Sequence, residues 1–178
     1  KIKNNFDLPE DFVNKHIEAA YKKAQEIFIS RIRSGLINNA LKIKEVFNLS
    51  EEFINSSEAQ KAAQEGFISR IKIGLVDDAL KIKEVFNLSE EFIQKIAQEK
   101  FISCIKNGYI NDALKIRKIF NLPEEFINSS EAQKAAQEGF ISRIKIGLVN
   151  DALKIKEKFS LPEEFIQKAA QEGFISCI

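Results

Sequence analysis

Methionine and tryptophan are absent from the 178 residues, histidine occurs once and cysteine twice. A metal site or a histidine-based triad needs partners at recognised spacings, and a lone His16 beside no Cys-x-x-Cys pair supplies none. An excess of one charge is missing too. The 27 Lys plus Arg and 26 Asp plus Glu leave +1, so no bulk field draws the chain to nucleic acid or anionic lipid. No apolar run reaches the roughly 18 residues of a membrane span, and the opening KIKNNFDLPEDF lacks the apolar core of a signal peptide. Unpaired cysteines and no signal peptide lead us to expect the cytoplasm. The missing methionine, with a start at Lys1–Asn5 and a stop at Ile178 that both read as mid-helix, leads us to expect a piece of a longer protein. Within it, positions 1–178 would form one helical-repeat array.

Only three prolines and seven glycines punctuate the chain, and what they punctuate is periodic. GLINNALKIKEVFNLSEEF from Gly35, GLVDDALKIKEVFNLSEEF from Gly74, GYINDALKIRKIFNLPEEF from Gly108 and GLVNDALKIKEKFSLPEEF from Gly147 are one unit written four times. The glycines step by 39, 34 and 39 residues, and the longer step carries an extra NSSEA, at Asn55–Ala59 and Asn128–Ala132. Copies 73 residues apart are nearly identical. A periodic sequence of this kind implies a periodic structure.

Each unit reads as two helices. In the first, Ser57 to Lys72, the residues Ala63, Phe67 and Ile71 recur at i, i+4 and i+8, which is one helical face. Ser57 with Gln60 has the spacing of a capping box, and Gly74 is placed as the helix stop. Asp77 would cap a second helix whose apolar positions are Ala79, Ile82, Val85 and Phe86. Ala59, Ala62 and Gly66 share a flank of the first helix, where small side chains let a neighbour approach closely. Neither helix buries its stripe alone, so the predicted fold is all-α: an α-solenoid of stacked helix-turn-helix repeats in alternating 39- and 34-residue units.

The inserted residues predict a helix break. Phe-to-Phe spacing across the first helix is 16 (Phe12–Phe28), 14 (Phe53–Phe67), 9 (Phe92–Phe101), 14 (Phe126–Phe140) and 9 (Phe165–Phe174). At about 100° per residue, the seven-residue difference between 9 and 16 returns to nearly the same face, whereas five residues rotate it by roughly 140°. The long form therefore needs a break at Asn55-Ser56-Ser57, with a short helix over Ser50–Ile54 before it.

The pattern Gly-x-x-x-(Asn/Asp)-Ala-Leu-x-Ile, as in Gly108, Asp112, Ala113, Leu114 and Ile116, resembles the tetratricopeptide and pentatricopeptide repeat superfamily. Such repeats carry a glycine at the hairpin turn and an Ala-Leu pair in the second helix. The resemblance implies a helical-hairpin array and bears on architecture, not on function, since solenoid folds host many functions.

Two sets of residues are candidates for ligand contact. Arg31, Arg70 and Arg143 occupy one helical position, which is Cys104 and Cys177 in the short units. It flanks the Phe67 stripe and is expected to be at most half-buried. A position that changes type between like repeats is how a modular binder would vary its reading of a polymer, although Arg tracks the long form and Cys the short one, as packing would demand. Cys104 and Cys177, two repeats apart, lie too far apart for a disulfide. The second set is a basic row, Arg33, Lys72, Lys106 and Lys145, on a polar face that also carries Lys61, Gln64, Glu65 and Ser69, repeated as Lys134, Gln137, Glu138 and Ser142. The paired acids after each connector, such as Glu51-Glu52 and Glu124-Glu125, suit helix N-termini.

Catalysis needs unlike groups converging on one spot, and here almost every polar feature recurs. We therefore expect a non-catalytic scaffold, with no cofactor and no membrane partner, holding a protein or peptide on a concave face lined by the first helices. Single-stranded RNA binding is the alternative, and a purely architectural or consensus-like arm a third.

Overall fold

Eight of the described helices end in one of two left-handed turns. In the computed structural model, which describes residues 9–175, Gly35, Gly74, Gly108 and Gly147 have φ between 69 and 81°. The residue after each glycine donates its N–H back to the sixth-last carbonyl: Leu36 to Arg31, Leu75 to Arg70, Tyr109 to Cys104 and Leu148 to Arg143, at 2.8 to 2.9 Å. The second turn type uses Asn48, Asn87, Asn121 and Ser160, all near φ 48°. The following Leu49, Leu88, Leu122 and Leu161 bond back to Lys44, Lys83, Arg117 and Lys156 and are themselves buried. Both turns are Schellman-type stops, in which the left-handed residue and the apolar one after it work together.

Between these stops the described residues form eleven helices and no strand. They are α1 (Glu10–Arg33), α2 (Ile37–Phe47), α3 (Glu51–Ile54), α4 (Ser57–Lys72), α5 (Val76–Phe86), α6 (Glu90–Lys106), α7 (Ile110–Phe120), α8 (Glu124–Ile127), α9 (Ser130–Lys145), α10 (Val149–Phe159) and α11 (Glu163–Ile175). Neighbours in sequence pack as hairpins: α1 with α2, α4 with α5, α6 with α7 and α9 with α10. The chain divides into two compact units, Lys1–Ser89 and Glu90–Ile178.

The helix break falls where the Phe spacing requires it. Helices α1 and α6 are continuous, whereas Asn55 and Asn128 end α3 and α8, and α4 and α9 restart two residues later. The restart corrects one detail of the sequence reading. The N-cap is Ser56, not Ser57, with its Oγ accepting from Ala59 N at 3.3 Å; Ser129 does the same for Ala132. Gln60, freed from a capping box, donates instead to the Phe86 carbonyl at 3.2 Å. Asp77 is not a cap either. The glycine turn runs straight into α5 at Val76, so Asp77 falls in the first helical turn, where its charge favours the dipole without a hydrogen bond.

Each unit has the same phenylalanine core. In the first, Phe28 meets Phe53 at 5.7 Å between ring centroids and Phe86 at 6.3 Å. In the second, Phe101 meets Phe126 at 5.8 Å and Phe159 at 6.2 Å. Phe28, Phe67, Phe101 and Phe140 are all at most 1% exposed, each worth about 1.5–3 kcal/mol of burial. Lys44–Glu51, Arg117–Glu124 and Lys156–Glu163 ion pairs span the Asn/Ser–Leu connectors. They give the first acid of each pair a partner as well as a helix N-terminus.

Serine is the least suitable of the four residues at the left-handed connector position, since it lacks the amide that lets asparagine tolerate it. We expect Ser160→Gly to stabilise the chain by about 0.5–1 kcal/mol, read as a rise in the urea midpoint. Asn87→Val, which puts a β-branched residue at φ 47°, should lower it.

Candidate functional site

The sequence-predicted residues fall into two places, a clasp between hairpins and a ladder of charges beside it. Both begin with a glycine. A Cβ built on Gly66 would overlap the Ile32 carbonyl oxygen of α1, and one on Gly139 would overlap the Ile105 carbonyl oxygen of α6. The first helix of each long repeat thus lies against the backbone of the hairpin before it. Ala59, Ala62, Ala132 and Ala135 on the same flank are 0% exposed, as expected of a small-residue interface.

One helical turn beyond each glycine stands the arginine. Arg70 lies over Gly35 and donates from Nη2 to the Ser34 carbonyl; Arg143 lies over Gly108 and donates to the Asn107 carbonyl. The Arg143 guanidinium also sits 5.0 Å from the Tyr109 ring centroid, within cation–π range. The Nε atoms of Arg70 and Arg143 are buried without a hydrogen-bond partner, a desolvation cost that the close fit over glycine imposes.

This placement corrects the expectation of a position at most half-buried. Arg143 is 8% exposed and Cys104 4%. Arg70 is intermediate, and only Arg31 is exposed. For the arginines the reason is geometric: Arg70 and Arg143 lie across the turn of the preceding hairpin, against Gly35 and Gly108. Cys104 is a free thiol; burial pushes its pKa up, nearby Lys100 opposes the shift, and Asp112 adds to it least. Cys177 and the chain ends at Lys1–Asn5 and Ile178 lie outside the described residues, as does the Phe174 side chain.

The basic row is exposed but not a continuous positive stripe. Arg33 Nε is 2.7 Å from Glu65, and Lys106 Nζ is 3.5 Å from Glu138. In both units the last basic residue of one first helix pairs with a glutamate on the next. Lys72 and Lys145 are exposed at the ends of α4 and α9. Exposed pairs of this kind contribute at most about 1 kcal/mol each, so their effect is on surface potential more than on stability. Sequence reasoning placed Glu65 beside the row without pairing it. The recurring 32-residue separation of Arg33–Glu65 and Lys106–Glu138 was the available signal.

His16 is exposed on α1, its ring tilted against Phe12 at 4.1 Å with Nδ1 donating to the Phe12 carbonyl at 2.7 Å. Among the described residues, no group of three His, Cys, Asp or Glu side chains is arranged to hold a metal ion, and no helix is long and apolar enough to cross a membrane. Compared with family models, curated proteins and solved structures, the chain matches none.

The clasp predicts a specific coupling. Gly35→Ala must displace Arg70 and also strain a φ of +71°. Its cost should therefore shrink by about 1 kcal/mol or more in an Arg70→Ala background, in a double-mutant cycle on urea midpoints. Gly66→Ala meets a backbone oxygen that cannot rotate away, and should cost about 2–3 kcal/mol in either background. For Cys104, a pKa raised by burial means a smaller thiolate fraction than a free cysteine at every pH below it. Ellman's reagent should label it slowly in native protein at pH 8 and at once in denaturant.

Proposed function

We propose that the chain is a non-catalytic solenoid scaffold of alternating 39- and 34-residue hairpins, of the general tetratricopeptide and pentatricopeptide kind, which holds a protein or peptide segment along the face of its first helices. The observation that carries this reading is the mixed-sign ladder. Arg33 with Glu65, and Lys106 with Glu138, interleave charges where an RNA-tracking surface would need unpaired cations spaced for phosphates. Lys61, Gln64, Lys134 and Lys145, all exposed, add donors suited to backbone carbonyls and carboxylates of a peptide. Ring stacking has little to offer on this face, since Tyr21 is half-buried with its hydroxyl accepting from Ser50 N at 3.3 Å, and Tyr109 already lies under Arg143.

The free, buried Cys104 fits a reducing compartment such as the cytoplasm. RNA binding is the second reading, supported by exposed Arg33, Lys72, Lys106 and Lys145.

A peptide-display selection against the full chain, paired with a salt titration on random single-stranded RNA, tests the proposal. We expect enriched peptides whose binding is weakened by Lys61→Glu and Lys134→Glu, and no RNA binding even at about 50 mM salt. RNA affinity falling steeply with salt, by about a hundredfold or more between 50 and 200 mM, would overturn it in favour of the second reading.

A further inference from the structure

We infer that Asn107-Gly108 is a self-modification site, a deamidation turn that the Arg143 clasp holds shut and whose reaction begins when the clasp opens. It goes beyond the scaffold reading, because it concerns a covalent change in the turn itself and needs no ligand. The residue before the turn glycine is Ser34, Ile73 and Ile146 elsewhere, and only Asn107 carries a carboxamide. It is also the one asparagine of the sequence followed by glycine. Glycine has no side chain to shield its amide nitrogen, so a carboxamide one residue earlier is open to attack by that nitrogen.

Hydroxide takes the proton from the Gly108 amide, and the nitrogen attacks Asn107 Cγ. The new C–N bond forms, the Cγ–Nδ2 bond breaks, and ammonia leaves with a proton from water. Water then opens the succinimide ring at either carbonyl, leaving an aspartyl or an isoaspartyl linkage. The closed turn opposes each step. The Gly108 N–H donates to the Ile105 carbonyl at 2.8 Å, and hydroxide must first break that bond. Asn107 Nδ2 donates to the Ser103 carbonyl at 2.8 Å, which ties the carboxamide back to the preceding turn of α6. Arg143 fixes what lies between, with Nη2 donating to the Asn107 carbonyl and its stem across Gly108. Arg143 Nε is buried without a partner and regains water on opening, which offsets part of the cost of opening. Asn107 is exposed, so water reaches it once these bonds part. Either product puts a carboxylate where a neutral amide stood, and so marks a clasp that has opened.

The test holds the full chain at mildly alkaline pH and follows Asn107 conversion by peptide mapping and deuterium exchange at the Gly108 amide. Both begin with loss of the same proton. Native protein should deamidate more slowly than the urea-denatured chain by about a hundredfold or more, and by at least the protection factor of the Gly108 amide. Arg143→Ala should speed both by about tenfold. Phe126→Leu, which loosens the rings on Phe101 without removing a clasp group, should speed them far less for the same fall in urea midpoint. Native deamidation as fast as in urea, or slowed less than the amide is protected, would overturn the assignment. So would an Arg143→Ala chain no faster than the native one, or equal acceleration by Phe126→Leu, which would make global unfolding the gate. If Arg143→Ala does not fold, the comparison of native deamidation with amide protection decides alone.

Discussion

The rest of each unit depends on a helix lying directly against a backbone carbonyl. Where Gly66 meets the Ile32 oxygen and Gly139 the Ile105 oxygen, two hairpins come closer than any side chain at that position would permit. Closeness is what lets Arg70 and Arg143 reach the preceding turns. A guanidinium at the end of a fixed stem finds the Ser34 or Asn107 carbonyl only if the helices are this near. The same residue does a second task with its backbone, since the Arg70 and Arg143 carbonyls accept the bonds that close their own turns. Each clasp arginine therefore ties its own turn and the preceding one into a single rigid contact.

The five-residue insertion belongs to the same mechanism. Two continuous first helices present bulky groups at the positions equivalent to Ala62 and Gly66, Lys23 and Ile27 in α1 and Ile96 and Lys100 in α6, whereas the continuous α11 has Ala169 and Gly173 there. Helices α4 and α9 follow a break, and the restart sets their phase independently of the short helix before them. Their small-residue flank can then turn toward the preceding hairpin while Phe53 and Phe126 still pack on Phe28 and Phe101. Break, small flank and arginine occur together in α4 and α9, whereas α11 shares the small residues by sequence without the break or the arginine.

Much of this was legible because it is local. Helix periods, glycine stops and the break at Asn55–Ser57 follow from spacings within some twenty residues, where backbone geometry alone decides. What was illegible spans hairpins. The cap falls one residue earlier than the capping-box spacing suggests, at Ser56, and the Gln60 side chain bonds across to α5. The arginine position read as a boundary site on its own helix, yet its burial comes from a turn 36 residues earlier. Near-identity of copies hid these pairings further. When Gly66 and Gly139, or Arg70 and Arg143, are the same residue in the same setting, nothing varies that could expose who touches whom. One variation, Ser34 or Asn107 before a clasped glycine and Ile73 or Ile146 before the others, does follow the clasp.

Repetition also bears on what such a surface can do. A catalytic centre requires groups of different kind to converge with sub-ångström tolerance, and duplication multiplies a surface without creating such convergence. Duplication does preserve a spacing, because each unit repeats the same charges from the same backbone. The paired ladder has a further consequence for recognition. An arginine already matched to Glu65 brings less unscreened charge to a partner, so long-range attraction is weak and short-range fit must do the selecting. A surface of that kind discriminates by shape and by the exchange of one matched ion pair for another. On the scaffold reading proposed above, such selection suits a polypeptide carrying both signs better than a uniformly anionic strand.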